Sequence, residues 1–425
     1  MTTRELNDFL TQTGPGTPMG DLFRRYWIPA LLSSEIPDAD CAPVRVKLLS
    51  ERLIAFRDTQ GRVGLMDEFC AHRGVSLWFG RNEEGGLRCP YHGWKYDVTG
   101  QCVDVPSEPI ESGFCNKIKL KSYDCVELGD VVWVYMGPPE LKPALPGFEW
   151  AHAPKASRFV SKRTQECNWL QAMEGGIDSA HVSFLHRFDL KSDSLHVSKG
   201  AELTAKTDVA FEVVESDGGM VIGVRRPAEE GHYYWRITQW IMPFHSMIPP
   251  YGDNALNGHA WVPIDDENCM SWCFTHHPTR PLTEYEREAM EAGKGIHVKV
   301  DRNFRPLQNR DNDYLMDRAA QKAGRSYSGI EGIGMQDASL QESMGPIQDR
   351  TKENLVSTDN GVIMARHRLM KAAKELLAKG TLPPGRDPAH QRIRSVSVVL
   401  PAGTPFKEGA GEALKAKEGV AQTSV

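Results

Sequence analysis

Four residues in two short runs carry the strongest chemical signal in this chain. Cys70-Ala71-His72 is followed by Cys89-Pro90-Tyr91-His92-Gly93-Trp94, so two thiols and two imidazoles arrive as Cys-x-His and Cys-x-x-His from separate loops. Thiolates mixed with imidazoles suit zinc or an iron–sulfur cluster. Zinc fingers generally pair Cys with Cys and His with His on opposite arms. Here each arm carries one of each, which favours a two-iron, two-sulfur cluster with histidines on one iron. Histidine in place of cysteine raises the potential of such a cluster and makes it a mild one-electron donor. Gly74, Gly85, Gly86 and Gly93 flank the runs and are expected to let backbone amides approach the sulfurs and tune that potential.

A donor needs an acceptor, and the run NWLQAMEGGIDSAHVSFLH offers one as Asp178-x-x-His181-x4-His186. Two histidines and a distant carboxylate make the facial set for non-haem Fe(II), which leaves positions open for oxygen and substrate. On a regular helix Asp178 and His181 lie about 60° apart, but His181 and His186 lie about 140° apart. The helix must therefore break, bulge or end between the histidines, with Gly175-Gly176 adding slack. Asp178 is placed to accept a hydrogen bond from the free ring nitrogen of a ligating histidine. The third ligand comes from downstream, either Asp337 in GIGMQDASLQES or Asp359 in NLVSTDNGVI. Asp359 precedes Asn-Gly and suits a turn or N-cap, so Asp337 is preferred.

Positioning these residues takes about two domains, as 425 residues imply. Residues 43–137 read as short antiparallel strands punctuated by Gly and Asp, and the Pro-rich stretch 137–146 as a linker. A helix starts near Asn168, strands return over 200–280 with HYYWRITQWIMPF the clearest, and helices are expected over 282–293 and 350–378. The expected order is an arm at 1–27, a metal-loop domain at 28–145, a catalytic domain at 146–401 and a disordered tail at 402–425, poor in aromatics. The fold class is α+β. A net charge of −6 with no basic block disfavours a nucleic-acid partner. No apolar run is long enough to span a bilayer, and no signal peptide is evident, so a cytoplasmic location is expected. The nine cysteines argue against a full disulfide framework; those outside the metal runs are expected to be free thiols.

With CAHR…CPYHGWKYD, NWLQAMEGGIDSAHVSFLH and MQDASLQESMGPIQDRTKENL in view, the chain resembles the oxygenase (alpha) component of Rieske non-haem iron aromatic-ring-hydroxylating oxygenases. Within them it is similar to the phthalate dioxygenase group, from the arm to about residue 380. The resemblance implies a Rieske domain followed by a helix-grip catalytic domain, an antiparallel sheet around a long helix. It implies that Cys70, His72, Cys89 and His92 hold a [2Fe-2S] cluster, and that His181, His186 and Asp337 hold a mononuclear Fe(II). Asp178 is implied to act in catalysis, bridging towards a cluster histidine of a neighbouring subunit in a homotrimer or stacked hexamer. In one departure, the Asn that some relatives carry after the motif glutamate is Gly175 here. The implied reaction is cis-dihydroxylation of an aromatic carboxylate with O2; demethylation or hydroxylation by a Rieske monooxygenase is the alternative.

No Gly-x-Gly-x-x-Gly follows a strand, so electrons must come from a separate NAD(P)H-dependent reductase. Arginines among apolar residues at Arg225, Arg226 and Arg236 are candidates to bind the substrate carboxylate. Arg225 and Arg226 must face opposite sides of a strand. Tyr234, Arg236, Thr238 and Trp240 share a face, and Arg236 is the first choice.

Overall fold

The computed structural model describes residues 2–192, 195, 199–250, 252 and 254–416. The chain divides into two compact units, one formed by Thr13–Pro143 and the other by Met1–Gln12 with Ala144–Val425.

The first unit is built on a six-stranded antiparallel sheet. Its spatial order is Trp27–Leu32, Val131–Tyr135, Ser122–Leu128, Val63–Asp67, Glu51–Arg57 and Val44–Leu48. A second sheet of four short strands, Arg81–Glu83, Gly86–Arg88, Lys95–Tyr96 and Cys102–Asp104, holds the second metal loop between its middle strands, and the first metal loop lies on the connection into it from Val63–Asp67. Ile54, Phe56 and Met66 from the larger sheet meet Leu87, Trp94 and Tyr96 in one core that also takes in Cys70 and Cys89. Glu84 and Gly85, at φ 51° and 77°, form the tight turn joining the first two short strands, and Gly86 opens the second of them opposite Glu83. The role of Gly85 and Gly86 is that hairpin and not the approach of amides to the cluster loops.

The second unit is an antiparallel sheet ordered Arg158–Gln165, Cys269–His276, Leu256–Pro263, His245–Ile248, His232–Ile241, Gly219–Pro227 and Ala210–Glu215. Val396–Pro401 also pairs with His232–Ile237, beyond the stretch that pairs with His245–Ile248. β-Branched and aromatic residues favour this long strand, and its last eight residues are all buried. The Trp169–Ile177 helix packs on Leu256–Pro263 and His245–Ile248. It is capped by Asn168, whose side chain accepts from Leu170 N at 3.0 Å. A Cβ at Gly176 would strike the Trp261 ring, so this glycine gives closeness to the sheet and not slack. The Glu284–Glu291 helix opens on a Thr283–Glu286 capping box. The long helix spans Asn360–Lys379, ten residues later than the expected start, because 350–359 is taken up by short 3-10 turns. Gly380, at φ 67°, ends it.

The expected arm is not one element. Arg4–Thr11 is a helix of the second unit, in contact with the Trp169–Ile177 and Asn360–Lys379 helices, whereas Pro18–Phe23 belongs to the first unit. The division falls at the Thr13-Gly14-Pro15-Gly16 run, a breaker of regular structure. The expected tail also differs. Residues 402–416 are ordered, with Phe406, Ala410 and Leu414 packed on Val221, Trp235 and Ile237. One aromatic is sufficient there because Phe406 stacks on Trp235, centroids 5.1 Å apart. The rest of that tail, 417–425, lies outside the described residues. No helix among the described residues is long and apolar enough to cross a membrane.

Candidate active site and cluster loops

The two cluster loops fold alike. In the first, Cys70 N donates to Val75 O at 2.9 Å and Gly74 N to Cys70 O at 2.9 Å; in the second, Cys89 N donates to Trp94 O at 2.8 Å and Gly93 N to Cys89 O at 3.0 Å. Gly74 and Gly93 sit at φ 73° and 77°, a left-handed conformation that favours glycine. Arg88 Nη1 braces the second loop, donating to Gly93 O and to Asp104 Oδ2, each at 2.7 Å. Cys70 and Cys89 are buried, while His72 and His92 are exposed. The two Nδ1 atoms stand 3.1 Å apart, and Trp94 stacks flat on His72.

Two thiols beneath and two ring nitrogens above, all converging, fit a [2Fe-2S] cluster with one histidine-bound iron. Burial pushes the Cys89 thiol up, against backbone N–H groups of Tyr91 and His92 aimed at its sulfur. Tyr96 Oη lies 3.2 Å from Cys70 Sγ and accepts from Ala71 N at 3.1 Å, so its hydroxyl hydrogen is available to the sulfur.

In the second unit the Trp169–Ile177 helix ends before either histidine. Asp178 is its C-cap, with extended backbone, and His181–Ser183 forms a 3-10 turn. The Asp178–His181 contact is therefore made by a turn and not across one helix face. Ala180 N donates to Asp178 Oδ1 at 2.7 Å, and His181 Nδ1 lies 3.2 Å from Asp178 Oδ2.

From the Ile333–Ser343 helix, Asp337 Oδ1 stands 3.1 Å from His186 Nε2 and 3.4 Å from His181 Nε2. One ligand atom from each of these three residues falls within 4.8 Å of the others, a spacing that fits one Fe(II) on a two-histidine, one-carboxylate face. Asp359 is not brought to them as a ligand; it accepts from Val356 N at 2.7 Å, the turn role its sequence suits. Burial opposes charge at His181, but Asp178 and Asp337 outweigh it and raise its pKa to about 10. Burial likewise opposes charge at Asp337, yet His186 and His181 hold it well below the usual carboxylate range. The protein thus builds a centre that demands a cation.

The other Nδ1 atoms show what reading the sequence missed. His186 Nδ1 lies 2.7 Å from Gln336 Oε1, and Gln336 is fully buried. No spacing rule singles out an amide next to a candidate ligand. Glu174, the motif glutamate, is buried between Arg350 and Arg366, at 3.1 and 2.6 Å, and ties its helix to two later segments.

A pocket of about 90 Å³ adjoins the three residues, with Arg236, Thr238, Arg163, His259 and Trp261 among its lining. Of the three arginine candidates only Arg236 lines it. Arg225 lies over the Tyr233 ring at 4.4 Å. Arg226, fully buried, donates to Ser179 O at 2.7 Å, Ser183 Oγ at 3.1 Å and Lys206 O at 3.2 Å. It pins the turn that bears His181. Arg163, which the sequence did not single out, is the second arginine of the pocket, donating to Gly334 O at 3.2 Å. Burial, reinforced by the Arg163 charge, lowers His259 to about 4, so it faces the pocket as a neutral ring. A groove of about 270 Å³ also borders Asp178, His181 and Asp337, and is lined further by Leu340, Met344 and Leu355.

Comparison with known proteins gives the following. The Rieske [2Fe-2S] domain model matches residues 26–124, and a model described as LigXa C-terminal domain like matches 134–420. The chain is 42% identical to the 3-chlorobenzoate-3,4-dioxygenase oxygenase subunit of Comamonas testosteroni, over 91% of this chain and 92% of that one. It is 38% identical to the phthalate 4,5-dioxygenase oxygenase subunit of Pseudomonas putida, over 94% and 93%. Among solved structures, dicamba monooxygenase bound to dicamba superposes with a TM-score of 0.59 at 18% identity, covering 84% of this chain and 99% of that one.

Proposed function

Since this chain belongs to the Rieske non-haem iron aromatic-ring-hydroxylating oxygenases, as an oxygenase (alpha) component, we propose that its substrate is an aromatic carboxylate, of the phthalate, isophthalate, phenoxybenzoate or chlorobenzoate kind, and its product a cis-dihydrodiol. The observation that carries this is Arg236, buried in the pocket wall beside His181, His186 and Asp337. A guanidinium there can take a carboxylate in two parallel bonds, and Trp261, Ile296 and Ile333 offer the ring an apolar seat. Both named relatives act on acids of this class by their names.

The family uses a [2Fe-2S] cluster and a mononuclear iron, fed by a separate electron-transfer partner. We assign the cluster to Cys70, His72, Cys89 and His92, and the iron to His181, His186 and Asp337. When bound, the cluster passes single electrons and the iron activates dioxygen. The chain's own residues do the rest. Arg236 orients the acid, apolar walls exclude water, and Asp178 and Gln336 fix the proton of each histidine on Nδ1 so that Nε2 is left for the metal.

The reductase is expected to draw on NAD(P)H, and the assembly to be a homotrimer or stacked hexamer. Exposed Leu340, Met344 and Leu355, at 44%, 49% and 41%, line the outer groove that reaches Asp178; cover by another copy would bury them.

Anaerobic titration of the ferrous protein with a panel of aromatic acids, followed by product identification for those that bind, tests the reading. A cis-diol from an aromatic acid supports it; a demethylated product points to the monooxygenase alternative; binding only of uncharged aromatics overturns the carboxylate assignment.

A further inference from the structure

The inner pocket and the outer groove share Gly175, Asp178, His181, Asp337 and Gln341 in their linings, so these residues border both spaces. Four of them lie in or beside the metal centre described above. The fifth, Gln341, has no role so far. It follows Asp337 by four residues on the Ile333–Ser343 helix, and residues so spaced share a helix face. Its Oε1 accepts from Gln165 Nε2 at 2.6 Å, in a buried bond. The oxygen is thereby turned to Gln165 and the nitrogen away from it.

The nitrogen goes over Gly175. A Cβ built at 175 would collide with Gln341 Nε2, which is its nearest neighbour. The glycine is therefore a slot, and the amide of Gln341 fills it. No positive φ requires glycine at this position; what the side chain's absence provides is room.

We infer that Gln341 is a positioning residue of the oxygenase reaction: seated over Gly175, its amide closes off the pocket from the groove and presents N–H donors to the space that Asp337 also lines. This rests on the triad as the iron site. The reaction takes substrate, O2, two electrons from the partner and two protons into the cis-dihydrodiol. Where that closure is incomplete, the same O2 and two electrons leave with two protons as H2O2, and substrate is left unchanged.

Three variants test this. Gln341→Ala removes the amide; Gln341→Leu keeps much of the bulk and loses the donors; Gly175→Ala pushes the amide out, and because the clash is with the end of a flexible side chain the fold can yield. Product formed per O2 should fall in all three by about two- to tenfold, the worth of one neutral hydrogen bond, with peroxide rising to match. The electron paramagnetic resonance spectrum of the nitric oxide adduct of the ferrous protein should shift alike in all three, a readout independent of turnover. The double variant Gly175→Ala/Gln341→Ala should be no worse than either single one, because both remove the same amide. Coupling and nitrosyl spectrum as in the unaltered protein for Gln341→Ala and Gln341→Leu would overturn the inference, as would strict additivity in the double variant. Should Gly175→Ala fail to fold, the two Gln341 variants decide. His181→Ala checks the triad separately: iron retained there sinks the triad, whereas coupling retained in the Gln341 variants sinks only this inference.

Discussion

Gln336 and His186 are joined by a 2.7 Å contact between Oε1 and Nδ1, and every hydrogen-bonding group of that amide is in use. Its Nε2 donates to Asp189 Oδ2 at 2.7 Å and to Ile330 O at 2.9 Å. Both amide hydrogens are thus committed to other acceptors, so only the oxygen can face the ring. His186 must then carry its proton on Nδ1 and direct Nε2 to Asp337. His181 is backed by a carboxylate, Asp178, where His186 is backed by a neutral amide. Gln336→Leu should lower Fe(II) affinity by about 10- to 100-fold, as loss of a ligand's hydrogen-bond partner does. Competition with a ferrous chelator measures this, while the cluster's visible spectrum should stay unchanged. Unaltered affinity would refute the orienting role.

Arg236→Ala should raise KM for an aromatic acid about 10- to 100-fold, since a charge-assisted hydrogen bond is worth about 1.5–3 kcal/mol. Arg225→Ala, which alters a side chain lying over Tyr233, should leave KM within about twofold, because Arg225 does not line the pocket. Equal effects of the two substitutions would reject Arg236 as the anchor.

Arg226→Met should act on stability. It leaves the Ser179 carbonyl, now bonded to the guanidinium, short of a donor in a buried place, at about 1–3 kcal/mol, while Lys206 O keeps the Ser183 hydroxyl at 2.9 Å. A fall in Tm of roughly 2–10 °C is expected for the catalytic unit, with iron retention falling alongside. Calorimetry of the iron-loaded and iron-free proteins checks it; an unchanged Tm would mean that the turn bearing His181 does not depend on this arginine.

Tyr96→Phe should lower the cluster's reduction potential by tens of mV. The hydroxyl beside Cys70 Sγ favours the more negative, reduced cluster, and about 1.4 kcal/mol corresponds to roughly 59 mV for one electron. Protein-film voltammetry reads the shift directly, and a rise in potential would contradict the assigned direction of the hydrogen bond.

Acid stability should depend on Glu149. Burial would raise its pKa, but the Arg394 guanidinium and His276 outweigh that and hold it at about 2, against 4.5 in an unfolded chain. A lowered folded pKa means that the stabilisation is present above pH 4.5 and is lost as pH falls towards 2, where the unfolded chain takes up the proton first. The gap of about 2.5 units corresponds to roughly 3 kcal/mol. Glu149→Gln should remove the steepest part of the acid-unfolding curve between those limits; a curve of unchanged slope there would exclude the pair as its cause.

What could be read in the sequence follows from chemistry that few residue types perform. Thiols and imidazoles in two paired runs announce a metal wherever they fall, and Asp337 stood out because Asp359 had a turn to make. The arginines were harder. Arg226 pairs with Tyr234 across the strands and Val224 with Arg236, so Arg226 and Arg236 point to the same side of the sheet and alternation cannot part them. Their position along the strand decides, placing one under the 179–183 turn and the other in the pocket. Gln336, Gln341 and Arg163 were invisible for a related reason: amides and strand arginines are common, and only the fold shows which of them border the site. Phe406 was missed because a single aromatic in a Gly/Ala/Lys/Glu-rich run gives no periodic signal until Trp235 is seen beneath it.

The turn bearing His181 belongs to no long helix or strand, yet Arg226 grips it from the sheet at Ser179 and Ser183. His181 and His186 each meet a protein partner at Nδ1, Asp178 and Gln336, so the direction in which each Nε2 faces is set by the fold. A change on the far strand is thereby felt at the ligand: whatever displaces Arg226 displaces the turn that aims the His181 ring.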